Sequence, residues 1–142
     1  MIDSHTAPYG ALLLRLTLGT LFLAHAALKI FVFTPAGTAG YFGNIGLPPA
    51  LAYVVMTAEV LGGIALILGF WTRLFATALI PILFGAIVTV HGGAGFFFSN
   101  PKGGWEYLAF WIVALVVQAL LGDGAYALLP FRVGAKSPAY AH

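Results

Sequence analysis

The sequence predicts an all-α fold: an integral membrane four-helix bundle forming one domain over residues 1–142. Three observations carry this. Hydrophobic residues make up 61% of the chain and charged residues 7%, with a mean hydropathy of +1.01. A soluble domain is nearer to about half apolar and about one quarter charged. The apolar residues also gather into runs close to the roughly 20 residues that a helix needs to cross hydrocarbon. Finally, the runs are continuous rather than alternating, which excludes a transmembrane β-barrel, the other way of satisfying a backbone inside lipid.

The first helix is expected over 9–31, with Pro8 suited to its opening turn. The leader "MIDSHTAPYG" has no Lys or Arg, so it lacks the basic region of a cleaved signal and the helix is expected to be retained. The second helix is expected over 49–70 and the third over 73–91, joined tightly by "GFWTRL". Pro81 is expected to kink the third, which lipid-embedded helices tolerate. The fourth is expected over 105–121, and the tail 130–142 is polar enough to be flexible. Two long Gly- and Pro-rich connections, "FTPAGTAGYFGNIGLPP" and "GGAGFFFSNPKGG", fall at one end of the bundle. Their aromatics suit lipid headgroups, and Trp105, Tyr107, Phe110 and Trp111 read as interfacial belt and lipid-facing surface. Arg73, Arg132 and Lys136 lie at the other end, so the positive-inside rule places both termini in the cytoplasm and the long connections outside.

The formal charge of +2 rests on six Lys or Arg and four Asp or Glu. That is too sparse for a nucleic-acid footprint. There is no cysteine, which excludes disulfides, thiolate metal sites and thiol nucleophiles within the chain.

Charges inside the apolar runs stand out, because each costs about 2.5–3.5 kcal/mol on the insertion scale. In the first helix Arg15, His25 and Lys29 fall within roughly an 80° arc at about 100° per residue. Glu59 lies about ten residues into the second helix, near mid-depth at about 1.5 Å per residue, with Gly62 and Gly63 on the same face. His91 ends the third helix and Glu106 opens the fourth. His25, Lys29, Glu59, His91 and Glu106 thus come from four helices and share the outer half. Arg15, Gln118 and Asp123 form a smaller inner layer, and an apolar floor between the layers leaves an outward-facing pocket. Structural readings stand beside these: Lys29 can snorkel to the interface, His91 and Glu106 can serve helix ends, and Asp123 can serve a turn. Glu59 is the hardest to explain structurally, since a mid-depth carboxylate must pair or take up a proton.

Such a cluster suits proton-coupled chemistry on a lipid-soluble ligand such as a quinone. His25 and Glu59 would handle protons, Lys29 would hold a carbonyl or anion, and His91, Glu106 and Arg15 would complete the binding set. No local metal motif is present, no metal is expected, and no flavin or haem motif is readable, so electrons would come from a partner protein. A non-catalytic assembly subunit and an exporter working as an oligomer remain alternatives.

Stretches of the chain resemble the DoxX-type membrane proteins. They are "RLTLGTLFLAHAALKIF", "AGYFGNIGLPP", "AEVLGGIALILGFWTRLFA", "VHGGAGFFFSNPKGGWEYLAF" and "LLGDGAYAL", and the match as a whole spans roughly Leu12 to Leu128. The resemblance implies a small bacterial inner-membrane, multi-pass protein. It further implies a link to quinone oxidoreduction or oxidative and quinone stress, with the family's polar positions on Arg15, His25, Lys29, Glu59, Arg73, His91 and Glu106. Two departures stand out: Ala26 replaces the glycine usual after the histidine, and "ALLPF" replaces the usual Leu-Asp ending. The expected partners are the bilayer, a small lipid-soluble ligand, a redox protein and further copies of the chain.

Overall fold

The structure is a computed structural model in which residues 3–130 are described. The expected flexible tail beyond Pro130, with Arg132 and Lys136, lies outside the described residues. Among the described residues five α-helices run in order: α1 Ala7–Ala27, α2 Pro35–Asn44, α3 Ala50–Leu68, α4 Thr72–Ala86 and α5 Glu106–Leu121. Helix α1 packs on α3, α3 on α4, α4 on α5, and α5 returns to α1, closing a ring. Three helical runs, Ala7–Val32, Ala50–Leu68 and Thr72–Ala94, are long and apolar enough to cross a membrane. Helix α5 is equally apolar but shorter, at 16 residues.

Sequence explains most element ends. Pro8 occupies the first turn of α1, where its missing N–H costs nothing. Gly69 closes α3 at φ 70°, a left-handed position that glycine adopts without a Cβ clash. Pro81 lies inside α4.

Two features depart from the expected layout. The first long connection contains α2, a helix despite four Gly or Pro among its ten residues, "PAGTAGYFGN". Thr34 caps it, its hydroxyl accepting from the Gly37 N–H at 3.1 Å, and Pro35 opens it. Helix α2 then packs on α3 through Ala39, Ala52 and Met56, and that packing overrides its weak propensity. The second departure is that α1 and α4 each widen into a π-helical turn at the same end, over Leu28–Val32 and Ile87–His91. Such turns shift the side chains they carry and recur at functional sites. Lys29 and His91 lie on them.

The end of the bundle away from these turns is tied by the chain after α5. Ala125 N–H donates to Pro8 O at 3.0 Å, Leu128 N–H to Leu68 O at 3.1 Å, and Trp71 N–H to Leu129 O at 3.1 Å. The start of α1 and the end of α5 therefore meet at one end, called here the sealed end. The opposite end carries the two long connections and is called the loop end.

Helices α1 and α3 cross closely at Gly19 and Gly63. A Cβ placed on Gly19 would lie 2.7 Å from Gly63 O and 2.7 Å from Ile67 Cγ1, whereas nothing lies within 4 Å of one on Gly10. Small residues at such crossings replace the hydrophobic drive that lipid cannot supply. Alanine at both sites improves helix propensity by up to about 1 kcal/mol. In thermal melts in detergent, Gly10→Ala is therefore expected to hold or raise the midpoint. Gly19→Ala is expected to lower it, because overpacking costs about 1–3 kcal/mol.

Candidate functional site

The π-turn at the end of α1 places Lys29 opposite the middle of α3. Lys29 Nζ donates to both Glu59 oxygens, at 2.8 and 2.9 Å. The Glu59 side chain is 4% exposed and that of Lys29 21%. The pair joins the first and third helices in a region with little water to solvate either charge, so each group needs the other. Helix α2 supports the turn: the Thr38 hydroxyl lies 3.1 Å from Lys29 O and 2.9 Å from Thr34 O. This gives a carbonyl of the widened turn a partner.

His25 lies one turn before Lys29, within electrostatic reach of Glu59. Its Nδ1 is 2.9 Å from Leu21 O. A carbonyl only accepts, so Nδ1 carries the proton, and in the neutral ring Nε2 keeps its lone pair. The ring packs on Trp111, with centroids 5.0 Å apart. Trp111 in turn meets Phe22 at 4.7 Å and Tyr107 at 5.7 Å. Ala26, beside His25, is buried. Trp111 corrects the belt reading of the aromatic set. It is 3% exposed and part of the core, while Phe110, its neighbour in sequence, is 72% exposed. An aromatic inside an unbroken apolar run carries no mark of which face it occupies; only a helical-wheel match to His25 could have suggested it.

His91 and Glu106 sit at the same end but are bound into the loop. His91 Nδ1 donates to Gly103 O at 2.9 Å, and Glu106 Oε1 accepts from the Phe98 N–H at 2.8 Å. Backbone bonds from Gly104 N to Phe97 O, Trp105 N to Gly95 O and Glu106 N to Phe96 O complete the loop's frame. Glu106, with Phe96, Phe98, Tyr107 and Phe110, borders a groove of about 610 Å³. A second groove, of about 330 Å³, lies beside α3 between Ile30, Pro35, Met56 and Val60.

Arg15 lies 14 residues before Lys29, about 20 Å along the helix axis, so it belongs to the sealed end. It is 1% exposed. Its Nη2 donates to Ala125 O at 3.2 Å, Asp123 is near enough to act on it electrostatically, and Gly69 packs against Nη1 so closely that a Cβ there would collide. Asp123 Oδ1 accepts from the Thr72 N–H at 3.2 Å, and Gln118 Nε2 donates to Gly122 O at 2.8 Å. The expected second polar layer is therefore present. The apolar floor is the core of Leu18, Phe22, Leu66, Leu79, Leu83 and Leu115.

Helices of this length and hydropathy, with a Lys–Glu pair held between two of them, define an integral membrane protein in contact with lipid. The sequence profile described as DoxX matches residues 10–92. Over 122 residues, 86% of this chain and 86% of the relative, the chain is 35% identical to the Bacillus subtilis (strain 168) protein named "Putative oxidoreductase CatD". The chain belongs to the DoxX family. No solved structure matches it.

Removing one member of a buried pair strands the other, whereas removing both leaves neither charge unmet. Glu59→Gln is expected to destabilise the protein by about 3 kcal/mol, the low end of the usual range for buried pairs, because Lys29 is partly exposed. Combining Lys29→Met with Glu59→Leu is expected to restore most of that loss. Melting of the variants in detergent measures both effects.

Proposed function

We propose that the protein binds a quinone-like or other small redox-active, lipid-soluble molecule at the loop end. In this reading it contributes to membrane oxidoreduction or to defence against oxidative and quinone stress. The observation that carries the reading is the Lys29–Glu59 pair with His25 beside it, held between apolar helices, where ionisable groups are expensive and usually functional. The name of the B. subtilis relative points the same way.

The donor set suits such a ligand. Lys29 offers a compact positive charge to a carbonyl or anionic oxygen. His25, fixed through Nδ1, offers Nε2 for a proton near neutral pH. Glu59 exchanges a proton or charge with both. Glu106 borders the aromatic groove, whose volume of about 610 Å³ lies within the usual range of about 300–1,000 Å³ for ligand sites. His91 shapes the adjoining loop. Arg15 secures the sealed end rather than touching the ligand. A quinone would supply two-electron, two-proton redox chemistry, with electrons delivered by a partner protein. In the proposed setting, a bacterial inner membrane, the sealed end with Arg73 faces the cytoplasm and the groove faces outward. Copies of the chain associate through apolar helix faces.

A second reading has its own support. Both oxygens of Glu59 are engaged by Lys29, so the pair also explains how α1 and α3 keep register. In that case the protein is a non-catalytic subunit and a partner carries the chemistry.

Titration of the detergent-solubilised protein with a short-tailed benzoquinone and its quinol, followed by tryptophan quenching, separates the two. The ligand reading expects saturable quenching that weakens at least about tenfold, or about 1.4 kcal/mol, in the Lys29→Met, Glu59→Leu protein, which should remain folded. Quenching that is absent, or equal in both proteins, rejects the ligand site and favours the assembly subunit.

A further inference from the structure

Trp111 holds a polar group that neither the fold nor the site described so far uses. The residue is 3% exposed, and its buried Nε1 has no hydrogen-bond partner among the described residues. A buried indole N–H normally finds one. The other polar groups nearby are committed: Lys29 and Glu59 to each other, and His25 Nδ1 to Leu21 O. Around the indole stand the rings of Phe22 at 4.7 Å, His25 at 5.0 Å and Tyr107 at 5.7 Å. Tyr107 also borders the loop-end groove together with Glu106. From that groove, Trp111 is one side chain away.

We propose that the Trp111 indole N–H is the hydrogen-bond donor that reads a carbonyl oxygen of the bound molecule; this rests on the quinone-site reading above. The chemistry is directional. An indole N–H only donates, so it matches the carbonyl of the oxidised form, an acceptor with no hydrogen of its own. His25 Nε2, carrying a lone pair in the neutral ring, matches the hydroxyl of the reduced form. Two adjacent rings in contact thus present opposite hydrogen-bonding characters, and Trp111 biases the site toward the oxidised ligand. In the unliganded arrangement the Tyr107 ring packs against Trp111, centroids 5.7 Å apart. Entry of a planar headgroup from the groove displaces that ring and gives the N–H its partner.

Trp111→Phe keeps an aromatic ring against Phe22 and His25 and deletes only the donor and part of the ring volume. Calorimetric titration of the purified full-length protein with a short-tailed benzoquinone, and separately with its quinol, is the test. In the variant the quinone is expected to bind about three- to tenfold more weakly, the usual effect of one hydrogen bond, and the quinol within about twofold. A second readout leaves Trp111 itself in place. With Trp71 and Trp105 replaced by Phe, the single remaining indole N–H signal in a ¹⁵N spectrum is expected to move downfield as benzoquinone is added. Wild-type binding with an unmoved indole signal, or with equal quinone affinity in Trp111→Phe, overturns the assignment to Trp111 and leaves the quinone site standing. A wild-type protein that binds neither ligand overturns both.

Discussion

Within hydrocarbon a charge must be met by another charge, and the rest of the molecule is arranged around that requirement. Lys29 and Glu59 are the most demanding pair. Their contact at 2.8 Å spans two helices and so sets the rotation and height of α1 against α3. The π-turn that carries Lys29 and the docking of α2 through Thr38 both serve this arrangement. At the sealed end the same requirement is met differently. Arg15 donates instead to a backbone carbonyl. It uses the Ala125 carbonyl and the field of Asp123, helped by the guanidinium's weaker hydration.

Between the two polar layers the core is aliphatic with one aromatic cluster. Lipid is as apolar as leucine, so burial there gives little drive to associate. Close approach, as at Gly19 and Gly63, and paired polar groups carry the cohesion. This explains why so many large apolar side chains, among them Phe31, Phe84, Phe110 and Leu120, point outward without penalty.

Much of this was legible in the residues. Each of the four longest apolar runs became a helix to within a few residues, because twenty uninterrupted apolar positions leave few alternatives. Glu59 and Lys29 were conspicuous because charges are rare in this chain, and the second polar layer followed from Arg15, Gln118 and Asp123. Helix α2 was not legible: its glycines and proline signal a loop, and the helix depends on contact with α3, which no local pattern records. The π-turns were equally hidden, being single-residue insertions in the hydrogen-bond ladder. His91 and Glu106 were placed at the correct end, yet their bonds to the Gly103 and Phe98 backbone depend on a loop path that spacing alone does not define. Trp111 was misread for a related reason, since in a run apolar on every face nothing distinguishes core from lipid.

The seal formed by residues after α5 has a consequence for synthesis. The bonds from Ala125 to Pro8, from Leu128 to Leu68 and between Trp71 and Leu129 join α1 and the α3–α4 hairpin to a segment made only after α5. Arg15 precedes its acceptor, the Ala125 carbonyl, by 110 residues. During elongation the guanidinium has no such acceptor until α5 and the segment after it have emerged, so truncation before Ala125 removes the partner that a buried charge in the membrane needs.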